Sequence, residues 1–181
     1  MQIRSATTRD ARGIARVQVR GWQIGYRGIV ADEYLARFSV EDMTSRWLGN
    51  LAELRRMDTV VAENEDGTVI GWAGFGANES NLGPDVGELG GLYVDPDRWE
   101  AGTGSALLAE AERGLSDAGY ARAILWTLAA NERTRRFYEN RGWRFDGATD
   151  THRSGAEVVR YAKELGGSGG ERRVDPDGSA I

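Results

Sequence analysis

The sequence predicts an α/β fold of the α+β kind, a single domain with a mixed central sheet of about six to seven strands flanked by about four to five helices. Three patterns point there. Strand-like and helix-like segments interleave along the chain, a tight-turn signal joins two strands near its middle, and one strand-helix-strand unit follows. The 181 residues suit one domain with a real core and one active site.

Each element has a local cause. Gln2 to Ala6 reads as a short strand, and Thr7-Thr8-Arg9-Asp10 has the hydroxyl-to-carboxylate spacing that opens a helix, followed at helical intervals by Ala11, Ile14, Ala15, Gln18 and Trp22. Gly21 to Tyr34 is less periodic and reads as a helix end, a loop and a short second helix. Ser39-Val40-Glu41-Asp42 repeats the capping pattern before a stripe of Val40, Met43, Trp47, Leu48, Leu51 and Leu54. Thr59 to Ala62 and Val69 to Phe75 form a hairpin around Glu65-Asp66-Gly67, and Val86 to Val94 makes a third strand closed by Pro96. Ser105 to Gly114 carries a helical stripe, Ala121 to Leu128 a buried strand, and Asn131 caps a helix through Arg141 that Gly142 stops. Trp143 to Phe145 and Val158 to Tyr161 read as the last strands. The folded domain is expected to span residues 1–165, with Gly166 to Ile181, a glycine- and serine-rich polar run, as a disordered tail.

Composition narrows the chemistry. No cysteine and a single histidine leave no material for disulfides, cysteine nucleophiles or cysteine-rich metal sites, so no metal is expected. A net charge of -5 with mixed signs gives no electrostatic footprint for nucleic acid. No stretch approaches the roughly 18 apolar residues of a membrane span, and the opening Met1-Gln2-Ile3-Arg4 has no signal-peptide character. The expectation is a cytoplasmic protein with no membrane partner.

The segment Leu92-Tyr93-Val94-Asp95-Pro96 leading into Gly102-Thr103-Gly104-Ser105 is a strand, a glycine loop and a helix start, where backbone amides can hold an anion. It fits neither familiar phosphate loop, because a dinucleotide fingerprint needs glycine at Leu107 and a triphosphate loop needs Gly-Lys-Ser/Thr. No hydrolase elbow surrounds Ser105. Read alone, the two glycines suit a plain strand-to-helix connection.

Taken together, Glu88 to Pro96, Gly102 to Leu108 and the later Asn131-Glu132-Arg133-Thr134-Arg135-Arg136-Phe137-Tyr138 resemble the two signature segments of the GNAT N-acetyltransferase superfamily, in order and spacing. The weaker resemblance runs from Ile3 to Leu165. It implies a GNAT-like fold and acetyl transfer from acetyl-CoA to a primary amine of a small molecule or peptide, with a homodimer left open. The alternative is a degenerate CoA-binding sensor or interaction module on the same fold.

The resemblance also implies site residues. Ala101, Gly102, Thr103, Gly104 and Ser105 would cradle the pyrophosphate, Leu92, Tyr93 and Val94 would pair with the pantetheine arm, and Asn131 would touch it while capping its helix. Trp22 and Tyr26 would line the acceptor site. One departure is Trp99, where the family usually has Gln or Arg, and neighbouring Arg98 is the candidate replacement cation. Arg133, Arg135 and Arg136 read as a solvated basic run, and His152 as a surface residue.

Two residues are expected to carry the chemistry. A lysine-like amine of pKa about 10.4 is neutral in roughly one molecule per 2,500 at pH 7, so attack on a thioester needs a base. Glu88 occupies the place of the family's glutamate, and strand alternation puts it on a face with Leu92 and Val94 unless a bulge intervenes. Tyr138 matches the tyrosine that gives a proton to the departing sulfur. A phenol near 10 and a thiol near 8.5 make that transfer downhill only if the site depresses the tyrosine or makes the sulfur a stronger base.

Overall fold

The structure, a computed structural model, describes residues 1–53 and 57–166. Leu54 of the expected helical stripe, and the expected tail beyond Gly166, lie outside these residues. Seven strands form one sheet in the order β1-β2-β3-β4-β5-β7-β6. They are β1 (Gln2–Ser5), β2 (Met57–Glu63), β3 (Val69–Ala77), β4 (Val86–Val94), β5 (Arg122–Leu128), β6 (Arg144–Thr151) and β7 (Glu157–Glu164). Neighbours are antiparallel except β4 and β5, which are parallel because a helix crosses between them. The helices are α1 (Ala11–Gly25), α2 (Asp32–Leu35), α3 (Val40–Ala52), α4 (Thr103–Asp117) and α5 (Glu132–Glu139). Among the described residues no helix is long and apolar enough to cross a membrane.

Two apolar layers follow from the helical stripes. Leu107, Leu108, Ala111 and Leu115 of α4 pack on Ala73, Phe75, Leu89 and Leu125 of the sheet, joined by Tyr138 and Trp143. On the other face, Ile14, Ala15 and Val17 of α1 and Trp47 of α3 meet Val61, Val69 and Trp72. At Gly114 a Cβ would sit 2.4 Å from the Phe75 ring, so α4 lies closer to the sheet than alanine there would permit. Ser39 caps α3 as its spacing predicts, accepting from the Asp42 amide at 3.0 Å.

The Thr7–Asp10 pattern forms the capping box its spacing predicts, with Asp10 Oδ2 accepting from the Thr7 amide at 2.7 Å. It closes a 3₁₀ turn that leads into α1 at Ala11, and Asp10 is drawn to Arg4 of β1 by two 2.8 Å hydrogen bonds. That contact comes first in holding the Asp10 carboxyl down to about 2, against the opposing effect of burial. A carboxyl lowered in the folded state stabilises the fold above its unfolded value, 3.8, and the benefit is lost as pH falls toward about 2. Asp10→Asn is therefore expected to flatten the fall in stability between about pH 4 and pH 2. Urea midpoints measured across that window check it, and an unchanged slope would count against the Arg4 contact.

Candidate active site

β4 is the wall on which the site is built. It pairs with β3 from Gly87 to Val94, yet meets β5 only through Val86–Glu88 against Arg122–Ile124. Beyond Glu88 the two strands part. Among the described residues no strand fills the facing edges of β4 and β5 beyond that point, which leaves their backbone donors and acceptors to the cleft. The gap opens into a cleft of about 720 Å³, lined by Leu89 to Val94, by Trp126 and Thr127 of β5, and by α5.

At one end of the cleft lies the glycine loop. Asp95, 4% exposed, caps the short turn Pro96–Arg98 by accepting from the Asp97 amide at 3.2 Å. It also pairs with Arg20 at 3.0 Å and Arg16 at 3.3 Å, so α1 is tied to the base of the loop. Glu100 and Gly102 then take left-handed backbone, with φ of 68° and 84°. Glycine adopts that conformation freely, whereas a Cβ costs about 1–2 kcal/mol. Gly102 becomes the N-cap of α4, and the unpaired amides of the helix's first turn stand beside Gly102, Gly104 and Ser105, which line the cleft.

α5 forms the opposite wall. Asn131, buried, caps it by accepting from the Thr134 amide at 3.1 Å, while its side chain also lines the cleft. Tyr138 is 6% exposed, and its hydroxyl has no hydrogen-bond partner among the described residues where it meets the cleft. Burial pushes this phenol well above its ordinary value, with the Tyr93 phenol a smaller cause. Arg141 fastens α5 to α4, lying 3.9 Å over the Phe137 ring and donating to Ser105 Oγ at 2.5 Å.

The end of α1 supplies a third wall. Trp22 Nε1 donates to Tyr93 Oη at 2.8 Å, and the Tyr26 hydroxyl lies 3.4 Å from the same oxygen. Burial raises both phenols, so Tyr26, Tyr93 and Tyr138 are all neutral groups at neutral pH.

Glu88 sits at the apex of the opening. It is the last β4 residue paired with β5, opposite Ile124, and the cleft lining begins with the next residue. Its Oε2 accepts from the Glu79 amide at 3.1 Å. Its carboxyl is raised, first by burial, against the lowering effect of that hydrogen bond, with the Glu79 charge adding to the rise.

A family model, Acetyltransferase (GNAT) family, matches residues 26–143. The chain is also 30% identical over 129 residues to the uncharacterized N-acetyltransferase YuaI of Bacillus subtilis, covering 71% of this chain and 72% of that one. The chain belongs to the GNAT acetyltransferase family. Solved structures agree on the fold. Ribosomal-protein-alanine N-acetyltransferase from Brucella melitensis superposes with a TM-score of 0.72 over 91% of this chain and 100% of its own, at 22% identity. PaiA N-acetyltransferase from Thermoplasma acidophilum, in complex with coenzyme A, gives 0.67 over 88% and 96%, at 21% identity.

Within this GNAT domain the expected residues gather around one cleft, with corrections. Leu92, Tyr93, Val94, Gly102, Gly104, Ser105, Asn131, Tyr26 and Tyr138 line it. Thr103 does not: it is buried, with its methyl turned toward Gly71. Ala101 is exposed and stands off the lining. Trp22 stands behind it, packed against Tyr34 and Phe38 at ring distances of 6.3 and 4.8 Å. Glu88 does not share a face with Leu92 and Val94. Register shifts between Gly74 and Phe75, leaving Gly90 as an extra residue, so Glu88 falls on the side of Tyr93 and Trp72.

Other groups were hidden from local patterns. His152 is a half-buried partner, bonded to Ser154 at 2.8 Å and set edge-on to Trp22 at 5.7 Å. The basic run is equally engaged. Arg135 donates to Tyr161 Oη at 3.0 Å, Arg136 pairs with Glu132 at 3.4 Å, and Arg133 lies over the Trp99 ring. The smaller cavity near Arg12 and Gly67, about 500 Å³, lies on the α1 side of the β2–β3 turn and includes none of these residues.

Proposed function

We propose that this GNAT domain transfers an acetyl group from acetyl-CoA to a primary amine of a small molecule or peptide, by direct attack. The observation that carries the reading is the parting of β4 and β5 beyond Glu88, between the start of α4 and the hydroxyl of Tyr138. An open strand edge suits an arm containing amide groups, which can pair with it as an added strand does. First-turn amides with Arg98, Arg133, Arg136 and Arg141 around the cleft suit the phosphates at the end of such an arm. The coenzyme A bound to the Thermoplasma neighbour supports the same choice. When bound, acetyl-CoA supplies the activated acetyl group.

The residues of this chain then have separate work. Leu92, Tyr93 and Val94 hold the arm along β4, Gly102 to Ser105 hold its anionic end through backbone amides, and Asn131 offers the side-chain amide left free by its cap. Tyr138 holds the proton that the departing sulfur takes up. The phenol is raised rather than depressed, so the transfer relies on the same burial strengthening the sulfur as a base. Glu88, at the apex, accepts the amine's proton through water. Tyr26, with Trp22, Tyr34, Phe38 and His152 behind it, forms the apolar wall against which the acceptor packs.

Release of free thiol from acetyl-CoA across a panel of amines, amino acids and peptides tests the proposal. Binding without release for every amine would favour the sensor alternative. For Glu88→Gln, kcat is expected to fall about tenfold with little change in acetyl-CoA affinity. The wild-type rate should rise with pH through the raised Glu88 value as the carboxylate forms, and the variant should lose that limb. An acid limb that survives the substitution assigns the base elsewhere.

A further inference from the structure

Four arginines line the cleft; two have partners and a third is exposed. Arg141 is bonded to Phe137 O and Ser105 Oγ, Arg136 pairs with Glu132, and Arg98 is exposed. Arg133 is different. Its guanidinium lies 3.6 Å from the centre of the Trp99 ring, and among the described residues its N–H groups have no hydrogen-bond acceptor. Trp99 is itself fixed, because its Nε1 donates to Val94 O at 2.9 Å.

We propose that Arg133, laid flat on Trp99, is the cation that meets the diphosphate of the cofactor, and that Trp99 serves as its platform. This rests on the acetyl-CoA reading above. An indole face attracts a guanidinium and covers one side of it, while the N–H groups in the plane stay free at the rim. Such a cation is ordered before the ligand arrives, so less side-chain freedom is lost on binding. The contact also joins two walls, since Trp99 precedes α4 and Arg133 belongs to α5, and both line the cleft together with Gly102 and Gly104. Arg98, the cation expected from sequence, lies beside Trp99 in the chain but among the described residues has no ring beneath it.

Calorimetric titration with CoA, dephospho-CoA and pantetheine separates the possibilities. Dephospho-CoA keeps the diphosphate but lacks the ribose 3′-phosphate, and pantetheine lacks the whole nucleotide, so a loss at the diphosphate must reappear with dephospho-CoA. R133A is expected to weaken CoA binding about tenfold or more and leave pantetheine binding unchanged. R133K should recover little, because an ammonium neither stacks flat nor donates as a fork. W99Q should lose part of the CoA affinity and W99F should keep most of it. CoA binding by R133A within about twofold of wild type overturns the proposal, as does a larger loss in R98A than in R133A. An equal loss toward pantetheine also overturns it, by showing damage to the cleft as a whole. Wild type that binds no CoA at millimolar concentration removes the acetyl-CoA reading itself, a result distinct from a normal wild type with an unaffected R133A.

Discussion

Tyr138→Phe is expected to lower kcat about 10²-fold while acetyl-CoA affinity changes little. The ring is buried against Phe137 and Trp143, at 5.2 and 6.0 Å, and phenylalanine preserves that packing. The lost hydroxyl has no hydrogen-bond partner among the described residues, so its removal strands no buried group. What disappears is a proton donor. The fall should therefore depend on the leaving group, being smaller for a thioester whose thiol has a lower pKa. Rates with acetyl-CoA and with an activated aryl thioacetate make the comparison. Equal losses on both, or none on either, would remove Tyr138 from the proton transfer.

The largest expected effect on stability belongs to Asp95→Ala. The carboxylate is buried, with side-chain exposure of 5%, and two arginines of α1 converge on it. Fully buried pairs cost about 3–5 kcal/mol to break, but Arg16 and Arg20 keep 37% and 34% of their exposure and can turn to water. Adding the lost cap of the Pro96–Arg98 turn, the expectation is roughly 2–3 kcal/mol, or a Tm lower by about 4–12 °C. Because Asp95 anchors the base of the glycine loop, CoA affinity should fall as well. Asp95→Asn can keep the cap without the charge and should lie between. Thermal unfolding of both variants checks the order, and an Asn variant as weak as the Ala one would assign the whole effect to charge.

Much of this was legible because local chemistry wrote it. β4 begins and ends where its pattern says, Ser39 caps α3, and Asn131 caps α5. Misreadings have identifiable causes. β6 runs to Thr151 instead of Phe145, because nearly all of this edge strand is exposed and shows no apolar alternation. α4 starts two residues early, at Thr103, since a left-handed Gly102 can cap where no hydroxyl does. The site was legible as far as its motifs reached, but Trp22 and Tyr93, or Arg20 and Asp95, meet across separations of 71 and 75 residues. No periodicity records such meetings. The same holds for Arg133, whose helical position suggests solvent until Trp99 is brought over it.

Three residue pairs join β4 to β5, and among the described residues this is where the strands β1 to β4 meet the strands β5 to β7. The sheet is thus a book bound along a short spine. One leaf carries Tyr93, and its last page turns into the glycine loop; the other leads into Asn131 and Tyr138. On the proposed acetyl-CoA reading, the span the cofactor bridges follows from how the leaves open at that spine. Substitutions at Val86, Ala123 or Ile124, none of which lines the cleft, are therefore expected to change its reach.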